Sequence, residues 1–169
     1  MSDNEDILSL VRQRHLNQTS TAARNEPKVR LLVFRLASEW YALEASQVRE
    51  ISRLNDVTRV PLTPPHVMGV VNLRGDVTAV IDIRATLGLP QSALDSGARI
   101  IVARHEKLEA GIIAEAVVEM IETPRNALQP PLLTIDAERG RFASSVLEQK
   151  DNRVIIVLNL PSLLEGLKV

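Results

Sequence analysis

The stretch VVNLRGDVTAVIDIR, Val70 to Arg84, decides the fold. Apolar residues hold the odd positions Val71, Leu73, Val77, Ala79, Ile81 and Ile83, and polar residues hold most of the even ones, Asn72, Arg74, Asp76, Thr78, Asp82 and Arg84. A period of two marks a half-buried strand, and Gly75 in the middle supplies the positive φ that a short reversal needs. The stretch predicts a β-hairpin with its odd side chains on a core. It places Arg74 beside the turn, its guanidinium directed to solvent or to a partner.

The same grammar extends outward. RLLVFRLA and WYAL flank a second predicted hairpin, and QVREIS reads as a further strand. In PLTPPHVMG, Thr63 is placed to cap a single helical turn ahead of Val70, and RATLGLP gives another short turn closed by Gly88 and Pro90. Five strands with little helix make a small barrel. The second half repeats the order: RIIVAR stands where LLVFRL stands, EAGIIAEAVVEMIE where WYALEASQVREIS stands, and both halves end in an apolar strand running into a short helix that closes on Gly-Leu. The expectation is a mainly all-β chain of two tandem five-stranded β-barrels with short helices, the first over about residues 40–90 with part of 29–39, the second over about 97–169. Ahead of them, Ser2 and Glu5 have capping-box spacing and Ile7, Leu10 and Val11 share a helical face, so residues 1–27 read as a helical arm and polar linker ending in Pro27.

Composition narrows the function. Aromatic residues make up only 2% of the chain and the formal net charge is -1, which leaves neither stacking platforms nor a basic footprint for nucleic acid. The chain has no cysteine, so it carries no disulfide or Cys-ligated zinc, in keeping with a reducing compartment. The acidic start lacks a long apolar run and no segment is long enough to span a bilayer, so a cytoplasmic protein without membrane insertion is expected.

Catalytic chemistry finds little to build on. His15, His66 and His105 lack paired metal-ligand spacing, and neither a Gly-rich phosphate loop nor a G-x-S-x-G elbow is present. The carboxylate pairs Glu44/Glu50 and Glu115/Glu119 lie in strands and read most simply as solvated faces. Arg74 stays open on the residues alone: a solvated charge at a turn, or an anchor whose planar guanidinium makes several bonds to a partner.

Asn72-Leu73-Arg74-Gly75, followed by a hydrophobic strand with Asp82 and preceded by VTRVPLTPPHVMG and by YALEASQVREI, resembles the CheW-like domain of bacterial chemotaxis, from about Val29 to the C-terminus. The resemblance implies two SH3-like β-barrels and a non-enzymatic adaptor, without cofactor or metal. Its partners would be the cytoplasmic tip of chemoreceptors, the regulatory domain of a CheA-type histidine kinase, and other CheW-like proteins in arrays at the membrane. It also implies a partner surface made of Val48, Glu50 and Ile51 in a V-x-E-I strand, of Asn72, Arg74 and Gly75 at the hairpin, and of Gly111, whose missing Cβ either lets a partner helix approach or marks a strand bulge. The second half departs from the family pattern: Glu115 stands where the family often has Asp, and RFASSVLEQKDNR lacks the usual glycines. An alternative is a CheW-like module of another chemosensory system, controlling pili or a second messenger.

Overall fold

The computed structural model describes residues 26–54, 57–131 and 137–168; the expected N-terminal helix and linker, save its last residues, fall outside them. Among the described residues there are ten strands: β1 (Lys28–Leu36), β2 (Glu39–Glu44), β3 (Val48–Arg53), β4 (Val67–Leu73), β5 (Asp76–Ile81), β6 (Arg99–His105), β7 (Leu108–Ala114), β8 (Ala116–Pro124), β9 (Ala143–Glu148) and β10 (Val154–Leu158). Two short helices accompany them, α1 (Ala137–Phe142) and α2 (Leu160–Gly166). The strands form two five-stranded sheets, in the orders β8-β1-β2-β10-β9 and β3-β6-β7-β5-β4. A bridge from Gln129 to Val146 ties the chain beyond β8 to β9, and one from Thr58 to Val70 ties the chain beyond β3 to β4, so each sheet closes on itself.

The duplication seen in the sequence is present strand by strand. The hairpin β1–β2 closes on the pair Leu36/Glu39 and β6–β7 on His105/Leu108, 69 residues later. The edge strands keep the same offset: Glu50 lies opposite Val102 where Glu119 lies opposite Val33, and both β3 and β8 are bulged just before these glutamates. Each repeat ends in a polar residue that accepts from the following turn, Asp82 from the Arg84 N–H and Asn159 from the Ser162 N–H.

Two five-stranded barrels are present as expected, but they are not divided along the chain at about 40–90, with part of 29–39, and about 97–169. After β2 the chain leaves its sheet through a 3-10 turn, Ala45–Gln47, and β3 joins the opposite sheet; after β7 the single residue Glu115 makes the reverse crossing. Each barrel thus combines the first hairpin of one repeat with the last three strands of the other. A repeated pattern shows which strands are equivalent and says nothing of whether they pair within or between repeats.

This exchange explains why β1 and β6 read as nearly unbroken apolar runs. Both are buried on two faces. Leu32, Phe34 and Leu36 of β1 meet Ile101 and Ala103 of β6 in a core shared between the sheets, while Val29, Leu31 and Val33 fill one barrel and Ile100 and Val102 the other.

Local expectations are corrected at three points. The hairpin has a two-residue loop, so Val71 pairs with Thr78 and the apolar phase flips across it: Thr78 is 4% exposed and Val77 70%. Thr63 caps no helix; its hydroxyl donates to the Val60 carbonyl in a chain of turns. Asp82 and Arg84, expected on the solvent side, are buried. Arg84 donates from Nη2 to Asp82 at 2.8 Å and from Nη1 to Glu115 at 2.9 Å and the Ser92 carbonyl at 2.8 Å. Hydrogen bonding to Asp82 above all pushes the guanidinium further above its ordinary value, against the opposing effect of burial. Since the Glu115 N–H also donates to the Arg35 carbonyl at 3.0 Å, this one residue fastens the crossing between the sheets.

Candidate partner surface

The tip of the β4–β5 hairpin is where backbone chemistry and charge meet. Leu73 pairs with Asp76, leaving Arg74 and Gly75 as the loop, and both have positive φ, 55° and 90°. That is the signature of a type I′ turn, whose twist suits the strands and whose first position normally takes Asn, Asp or Gly. Asn72 completes it by accepting the Gly75 N–H at 3.0 Å. Arginine in the left-handed region costs on the order of 1–2 kcal/mol. Among the described residues no strong contact offsets this: the Arg74 side chain is 86% exposed and meets Glu50 at 3.6 Å, the geometry of a weak surface pair.

Beside the turn lies an ionic ladder across the line where β3 approaches the hairpin. Arg49, the extra residue of the β3 bulge, donates to both oxygens of Glu109 at 2.9 and 3.2 Å and sits 3.5 Å from Asp76. The Glu109 hydrogen bond is the main cause that raises the Arg49 guanidinium above its ordinary value. Thr78 reaches the same carboxylate at 3.4 Å. The sequence placed Arg49 on this strand but gave no sign of Glu109, because the partners are sixty residues apart and stand on the two strands that flank β6.

The structure therefore brings together Glu50, Asn72, Arg74 and Gly75. Ile51 points to the other face of β3, opposite Ile101, and is exposed. Val48 turns inward against the core shared by the sheets. Gly111 belongs to neither reading offered for it. It is buried in β7, in unbroken register with β6, and a Cβ there would lie 2.5 Å from Ile100 Cγ2. Its role is to admit Ile100 to the barrel interior.

The second barrel serves as an internal control. Glu119, the counterpart of Glu50, also meets an arginine, Arg153. That guanidinium lies 4.9 Å from the ring centroid of Trp40 and donates to Gln149 at 2.6 Å, and its side chain is only 19% exposed. One glutamate has a sequestered arginine; the other has one held outward on a strained turn.

Comparison with known proteins agrees with this frame. The model of the CheW-like domain matches residues 30–168. A probable chemotaxis protein CheW of Rhizobium etli is 31% identical over 82% of this chain and 89% of its own, and the chemotaxis protein CheW of Bacillus subtilis is 28% identical over 80% and 86%. In the crystal structure of the scaffolding protein TtCheW from Thermoanaerobacter tengcongensis, the match has a TM-score of 0.72 at 32% identity, covering 80% of this chain and 88% of that one. With the family pattern spanning both barrels and the same fold in a solved relative, the chain belongs to the CheW-like domain family.

Proposed function

We propose that the protein is a non-enzymatic scaffold of a chemosensory complex, working in the cytoplasm and coupling the tips of chemoreceptors to the regulatory domain of a CheA-type histidine kinase. The observation that carries this reading is Arg74. An exposed arginine kept at a turn position that disfavours it, with only a weak surface pair among the described residues, is consistent with selection for an external contact. Glu50 beside it orients the guanidinium, and Asn72 and Gly75 hold the backbone beneath. The solved relative TtCheW, a scaffolding protein, supports the same reading.

Mixing the purified chain with the kinase regulatory domain, and separately with receptor cytoplasmic fragments, tests it by size exclusion. Co-elution is expected. Arg74→Glu should weaken it roughly thirtyfold, the equivalent of about 2 kcal/mol for a hot spot. A kinase domain and receptor fragments that never shift at micromolar concentrations, or a complex indifferent to the substitution, would overturn the proposal.

A further inference from the structure

At the far end of β3 the two barrels differ in a way that the partner surface does not use. Arg53 stands directly opposite Arg99 of β6. Like charges facing each other across a strand pair are destabilising. Among the described residues neither guanidinium has an ion-pair partner; Arg99 spends only Nη1, on the Ser96 and Ala98 carbonyls at 2.9 and 2.8 Å. At the matching position of the other barrel Arg30 faces Glu122, with Lys28 3.5 Å from that carboxylate. The fold thus has a charge-matched version of this site, and the β3–β6 end replaces its acid with a second arginine.

The two arginines line a surface pocket of about 500 Å³ whose apolar part is Leu54, Leu94 and Ala98. Asp95 also borders it, its Oδ1 engaged by the Gly97 N–H at 2.7 Å. Among the described residues, one committed carboxylate against two guanidiniums leaves the lining cationic.

We propose that Arg53 and Arg99 form an oxyanion site that takes a phosphate or carboxylate group in the place that Glu122 fills in the other barrel. Guanidinium forks suit both groups. The test is thermal unfolding of the full chain followed by Trp40 fluorescence, with inorganic phosphate or an oligoglutamate peptide added and chloride at equal ionic strength as the reference. A bound oxyanion should raise the midpoint by about 4 °C at a ligand concentration about ten times its Kd. Arg53→Gln should abolish that rise, and Arg53→Glu should raise the midpoint with no addition by recreating the Glu–Arg pair. A response to phosphate alone assigns a phosphate site, and a response to the peptide alone assigns a carboxylate borne on protein. No response to either probe, or an equal response in Arg53→Gln, would overturn the proposal.

Discussion

Arg74 couples a local cost to a functional expectation. Asn is among the residues best suited to the first position of a type I′ turn, so Arg74→Asn should stabilise the fold by about 0.5–1 kcal/mol in urea unfolding. The same variant should lose kinase-domain capture, separating stability from binding as no buried substitution can. Tyr41, the sole tyrosine, supplies a second residue-scale test. It is fully buried and donates to Glu39 at 2.6 Å; burial, then that hydrogen bond, push its hydroxyl well above its ordinary value. Because the folded form holds its proton more tightly, its contribution to stability is complete below pH about 10 and is lost as pH rises beyond, by about 1.4 kcal/mol per unit. Tyrosinate absorbance should appear only with unfolding, and Tyr41→Phe should flatten the alkaline fall. Tyrosinate appearing near pH 10 in the folded protein would refute this.

Among the elements, the closures of the barrels are the points of least tolerance. Gly69 sits in the β4 bulge with φ 152°, and a Cβ there would lie 2.1 Å from the Thr58 carbonyl oxygen, which accepts the Val70 N–H. Backbone cannot yield as a side-chain tip can. Gly69→Ala should therefore break the Thr58–Val70 bridge and cost about 2–3 kcal/mol, read by urea unfolding together with faster amide exchange at Val70. This scale also shows what the sequence could and could not convey. Alternation revealed the strands, and Gly75 revealed the turn. Which face of β5 was buried depended on loop length, since two residues rather than three reverse the phase and put Thr78 inside and Val77 out. Asp82 and Arg84 looked solvent-facing because a charge that finds two buried partners has the same letter as one that finds water. Gly111 was legible as a missing side chain, but the space it leaves belongs to Ile100, which no local pattern names.

At the scale of the whole molecule, the candidate site residues Glu50 and Arg74 were legible from the family motif, whereas their position across a barrel closure, and the exchange of hairpins between repeats, were set by long-range pairing. The Arg84 cluster secures that exchange where Glu115 carries the chain between sheets. Arg84→Met should leave the buried Asp82 and the half-buried Glu115 without their countercharge and cost about 3–5 kcal/mol in denaturant unfolding. A loss below about 1 kcal/mol would show the cluster to be hydrated and slack.

The exchanged hairpins also set an order for the protein's birth. A ribosome that has released the first repeat has made β1 and β2 before their neighbours β8 and β10 exist, and β3, β4 and β5 before β6 and β7. The barrel of β3 to β7 has all its strands once Ala114 has emerged, but the barrel of β1, β2 and β8 to β10 cannot close by then, and the apolar faces of β1 and β2 wait until β10 has been made. Closure of that barrel trails closure of the other, and the chain in between, with the strand edges of β1 and β2 unpaired, is the form most in need of a chaperone.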